Sequence, residues 1–135
     1  MRSGASAGAF APALRQRLGR LFKQVRRDAA VFATLDDTAR HRLRKRVKRL
    51  RYLSEFASGA FHGKPLRAFL KRLAPVQEAL GNFNDVCVAR ALFEHAAPDD
   101  PMAMFALGWL AHERDDAIAR CLRALAPLGK ARPFW

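Results

Sequence analysis

The 135-residue chain is long enough for one domain with its own core, and a hydrophobic content of 50% is enough to build it. Its 25 Lys and Arg stand against 12 Asp and Glu, a net charge of +13, so the expected partner is negative: nucleic acid, an anionic membrane surface or a phosphate-rich polymer. No apolar run approaches the ~18 residues of a membrane span, and no signal-type apolar region follows the start, which excludes a spanning segment and predicts a cytoplasmic protein.

The first residues, MRSGASAGAF, carry one Arg and small residues, and residues 1–8 are expected to be a disordered start or an artificial junction. Leu14, Leu18, Leu21, Val25, Ala29 and Phe32 then recur at three-and-four spacing, predicting a first helix over about residues 9–33. A second, over about 37–60, opens after Leu35 with Asp36 or Asp37 as its cap and carries Leu43, Val47, Leu50, Ser54, Ala57 and Phe61 in one line. Pro65 suits a first helical turn, and Leu66, Phe69, Leu73, Val76, Leu80, Phe83 and Cys87 keep one phase across Gly81. This predicts a single third helix over about 65–96, kinked one turn before Pro75. The alternative is a break at Gly81-Asn82 with Asn84 or Asp85 capping a separate helix. Ala97 to Pro101 punctuates the chain, and a fourth helix follows over about 101–126.

No segment alternates as a strand would, so the fold class is all-α, an antiparallel four-helix bundle over 9–128 with a tail over 129–135. Trp135 in that tail either docks on the bundle or serves a partner. Cys87 and Cys121 lack metal-ligand spacing and are expected to be free, buried thiols.

The most informative stretch is Arg40 to Arg51, RHRLRKRVKRLR, in which eight of twelve positions are Arg or Lys. His41, Lys45, Lys48 and Tyr52 lie opposite the apolar stripe of Leu43, Val47 and Leu50, flanked by Arg44 and Arg51. A merely solvated helix mixes signs to pair Lys and Arg at i, i+4, whereas here the first acid is Glu55. Stacked like charges oppose folding slightly, and an anion that neutralises them relieves this, so the stripe reads as an anion site. Carboxylates do not gather as phosphate-hydrolysing metal sites require: Asp36-Asp37 and Asp99-Asp100 read as caps and turns, and His112 with Asp116 as a solvated pair, so neither catalysis nor a metal or other cofactor is expected. His62 and His95 read as structural or exposed. Arg90 has no evident role, and Arg114, inside an apolar pattern, either snorkels or reaches an acid.

The helix from His41 through Arg44, Lys45, Lys48, Arg49, Arg51 and Tyr52 to Glu55-Phe56 resembles the CHAD family, the conserved histidine α-helical domain. A second motif of that family is matched by Gln77, Leu80, Gly81, Asn84 and Asp85. The resemblance runs over about 14–126 and concerns the second of the two similar four-helix halves that such domains contain. It implies a non-catalytic module for inorganic polyphosphate, held by His41, Arg44, Lys45, Lys48, Arg49, Arg51 and Tyr52 with Gln77, Asn84 and Asp85 in support. Gly81 is expected to let another helix approach closely, and Asp85 to fix an Arg of the second helix. The missing half implies a homodimer, a shortened member or a fragment. A nucleic-acid binder is the alternative, disfavoured because Tyr52 is the one aromatic among these charges. An accessory module of a CYTH-type phosphohydrolase is a further one.

Overall fold

Four α-helices follow one another through short connections in the computed structural model, which describes residues 2–61 and 63–135, with side chains from Phe10 onward. They are α1 (Arg2–Ala30), α2 (Asp37–Phe56), α3 (Lys64–Ala96) and α4 (Pro101–Leu125), with short 3-10 turns after each and no strand among the described residues. The expectation of a disordered start over 1–8 falls on Met1, outside the described residues, and on the first turns of α1, whose backbone is helical. His62 also lies outside them.

α2, α3 and α4 each begin where the sequence provides for the free amides of a first turn. Asp36, in extended conformation, accepts from the Ala39 amide at 2.8 Å, which settles the α2 cap on Asp36 and releases Asp37 for another use. Pro65 occupies the first turn of α3 after Gly63, whose φ of 94° favours glycine, and Asp100 caps α4 ahead of Pro101. α3 is continuous through Pro75 and Gly81, so the break at Gly81-Asn82 does not occur. The single apolar phase from Leu66 to Phe83 has one face to bury, and those residues are buried.

Contacts between successive helices run in opposite directions. Asp28 meets Arg46 while Phe10 meets Phe56; Gln77 meets Arg51 while Phe83 meets Arg40; Ala79 meets Cys121 while Cys87 meets Arg114. This is an antiparallel up-down bundle, closed around Leu18, Val25, Leu43, Val47, Leu50, Leu73, Val76 and Leu80. The tail adds to the core. Trp135 packs edge-on against Phe22, Phe69 and Phe134 at centroid distances of 5.0–5.6 Å, over Gly19, so it docks on the bundle.

Cys87 of α3 and Arg114 of α4 both meet Asp37 in the first turn of α2, and the segment of α3 after Cys87 and of α4 before Arg114 forms a helical hairpin beyond the start of α2. That hairpin exposes Met102 by 70%, Phe105 by 74% and Trp109 by 59%, one stripe along α4, together with Val88 and Leu92 on α3. It also gathers acid: residues 85–116 hold seven of the 12 Asp and Glu but two of the 25 Lys and Arg.

Candidate functional site

α2 is anchored by the residues its periodicity predicts, Leu43, Val47, Leu50 and Ala57, and by two polar ones. Ser54 returns its hydroxyl to the Leu50 carbonyl at 2.7 Å. Arg40 is buried: its Nε and Nη2 donate to the Phe32 and Ala33 carbonyls at 3.2–3.3 Å, and its guanidinium lies against the Phe32 and Phe83 rings. Arg40 therefore closes the end of the core and is not part of an exposed basic face. Counting charge along RHRLRKRVKRLR hides this; its only trace is that Arg40 falls in phase with Leu43 and Val47.

The rest of the stretch divides into three directions around the helix, at about 100° per residue. Toward α3 face His41, Arg44, Lys48 and Arg51. Outward stand Lys45 and Tyr52, both exposed. Toward α1 lie Arg42, Arg46 and Arg49; Arg46 is tied to Asp28 at 2.6 Å, while Arg49 lines a cleft with Arg17 and Arg20. The predicted site residues thus do not share one face, and Arg49 stands apart from the others.

Between α2 and α3 runs a groove of about 290 Å³, where His41 and Arg44 of the first motif meet Asn84 of the second, with Leu80 and Phe83 as its apolar floor. Further along, Gln77 accepts from Arg51 Nη1 at 2.6 Å, and Glu55 accepts from Arg51 Nε at 3.0 Å, so that guanidinium is held in place along the groove. Asp85 does not do this: it is exposed and makes no ion pair among the described residues, because one residue past Asn84 turns it about 100° away from α2. Gln77, not Asp85, orients the helix-two arginine. Gly81 also departs from expectation: a Cβ there would meet nothing within 4 Å among the described residues, so none of them packs closely on it and the space beside the groove is open.

The acid nearest the groove is already neutralised. Asp37 receives Arg114 Nη2 at 2.8 Å and Nη1 at 3.0 Å, and Arg40 lies 3.5 Å away. The Arg114 hydrogen bonds hold the Asp37 carboxyl below its ordinary value of 3.8, against an opposing effect of burial. Arg114 also lies over Phe83 and contacts Cys87, whose thiol burial pushes up. Burial pushes the Cys121 thiol to about 11, and neither cysteine is bonded to another. Of the eight basic residues in the stretch, Arg42, Arg44, Lys45, Lys48 and Arg49 have no anionic partner among the described residues. Elsewhere, His112 and Asp116 form an exposed pair at 3.7 Å, Arg90 pairs with Glu94, and His95 is exposed. No three His, Cys, Asp or Glu among the described residues converge as a metal site would need, and no described helix is long and apolar enough to cross a membrane.

No curated protein and no solved structure matches the chain significantly. The family model for the CHAD domain matches residues 2–94, which takes in α1, α2, nearly all of α3 and both motifs, and leaves α4 beyond the matched span. With that match covering the two helices that form the groove, the chain belongs to the CHAD domain family.

Proposed function

We propose that the chain is a non-catalytic module that binds inorganic polyphosphate along the α2–α3 groove. The observation that carries this is the arrangement just described: His41, Arg44 and Asn84 line one groove, while Asp37, the acid that lines it too, is taken up by Arg114. A linear phosphate polymer needs donors and positive charge at intervals and no base recognition, which guanidinium, ammonium, imidazole and carboxamide groups supply. His41 adds a donor on either ring nitrogen it protonates, and Asn84 adds a neutral one. Lys45 and Tyr52 extend the surface outward from the groove edge. Tyr52 and, one turn on, Phe56 are the exposed aromatics on this side of α2, and the Phe83 ring in the groove floor is buried, so the charges are not interleaved with several stacking rings as a single-stranded nucleic-acid site requires.

A competition measurement tests the reading: polyphosphate should hold its place against duplex DNA and single-stranded RNA at equal phosphate concentration. Displacement by either nucleic acid would transfer the groove to that ligand.

The hairpin is proposed to meet a second copy of the chain. Its exposed Met102, Phe105 and Trp109 form a continuous stripe of the kind that pairs of helices bury.

A further inference from the structure

The cleft on the other side of α2 has no role in the groove just described. It holds about 510 Å³ between α1 and α2 and is lined by Gln16, Arg17, Arg20, Gln24 and Arg49. Arg17, Arg20 and Arg49 converge on it without an anionic partner among the described residues. The only acid of α1 is Asp28, one turn beyond Gln24, and Arg46 already occupies it at 2.6 Å. Three guanidinium groups gathered on one cleft with no acid repel one another, and an anion seated there removes the repulsion. Gln16 and Gln24 add neutral donors on the same wall, as Asn84 does on the far side of α2.

The two clefts are also joined. Lys45 and Tyr52 stand exposed on the ridge of α2 between them, and Lys48 and Arg49 stand on its two shoulders. We propose that the α1–α2 cleft is a second arm of the polyanion site and that the ligand lies across α2, from the Arg44 groove over the Lys45 ridge to Arg17, Arg20 and Arg49. This rests on the polyphosphate reading of the α2–α3 groove and adds a length requirement to it. A helix is about 10–12 Å across with its side chains, so a chain must outreach that width to engage both arms. Tripolyphosphate fits one arm, and long-chain polyphosphate spans both.

The experiment compares the affinity gain from tripolyphosphate to long-chain polyphosphate in the wild type and three double variants, each checked for helicity. R17Q/R20Q removes the second arm, R44Q/K48Q weakens the first, and R120Q/R123Q removes equal charge from the outer side of α3 and α4, where Glu78 shares the cleft. R17Q/R20Q should cut the long-chain gain about tenfold, the scale of one or two charge-assisted hydrogen bonds, and leave tripolyphosphate binding within the range of the control. A gain in R17Q/R20Q equal to that of R120Q/R123Q would overturn the second arm while leaving the groove intact. If instead R44Q/K48Q matched the control with both ligands, the groove reading itself would fall.

Discussion

Arg114 of α4 grips Asp37 of α2 with both terminal nitrogens, at 2.8 and 3.0 Å, across 77 residues of sequence. The pair joins the first turn of α2, where the groove begins, to a helix that the family match does not reach. It also takes up the negative charge at the end of the proposed anion site. Asp37 is about half exposed, which discounts the strength of the pair, while the two-pronged geometry and the Phe83 ring beneath Arg114 add to it.

Removing the pair should cost stability in a pH-dependent way. Asp37→Asn should destabilise the protein by about 1 kcal/mol near neutral pH, measured by denaturant unfolding. Because the folded carboxyl titrates below its ordinary value of 3.8, the contribution is complete above that pH and disappears as the pH falls through the lower folded value. The gap between wild type and variant should therefore close in strong acid. A gap independent of pH would mean that the Asp37 charge is not what stabilises.

Charge placement should outweigh total charge in binding. Lys45→Ala with Lys48→Ala should weaken polyphosphate binding by one to two orders of magnitude, at ~1.5 kcal/mol for each charged hydrogen bond, and flatten its salt dependence. Arg120→Ala with Arg123→Ala should change affinity little. Equal losses, read by isothermal titration, would point to diffuse attraction.

Gly81→Ala should stabilise the free protein. Glycine in a helix interior costs roughly 0.5–1 kcal/mol against alanine, and the added methyl meets nothing within 4 Å. The melting temperature should rise by a few degrees; a fall would show that the position is constrained by its backbone after all.

Truncating Trp135 to Ala should destabilise by about 2 kcal/mol, less than a fully enclosed aromatic because the ring is only half-buried. Loss of Tm is the readout. An unchanged Tm would mean that the packing of the tail on Phe22 and Phe69 contributes nothing to folding.

Self-association through the hairpin should respond to salt in the opposite sense to polyphosphate binding. Copies of a chain with a net charge of +13 repel, and the acids around the hairpin repel one another as well, so salt should strengthen pairing through Met102, Phe105 and Trp109. Sedimentation at low and high ionic strength measures this, and Phe105→Glu should abolish the dimer. A monomer at every salt concentration would exclude the pairing.

Much of this architecture was legible in the sequence because it rests on local periodicity. The spacing of Leu66, Phe69, Leu73, Val76, Leu80 and Phe83 predicts one helix through Gly81, and the structure has it. His41 and Arg44 of the first motif and Asn84 of the second line one groove. What was not legible depends on rotation and on distant contacts. Asp85 sits one residue from Asn84 and so faces elsewhere, and Gln77 takes the arginine instead. Arg40 looks identical to its neighbours in composition but lies in the core phase. Arg114 and Trp135 find their partners through chain reversals that no local pattern encodes.

The uneven placement of charge gives the molecule an electric dipole between the hairpin and the rest of the bundle. The negative pole is the hairpin over 85–116, and the positive pole is the body built by α1, α2 and the first half of α3. In the field of an extended polyanion such a molecule turns as it diffuses, so that encounters are biased toward the basic end before any contact forms. Orientation is thus set at a distance beyond hydrogen bonding, within roughly the 8–10 Å reach of unscreened charge in physiological salt. An encounter of that kind would leave the apolar hairpin facing away from the polyanion.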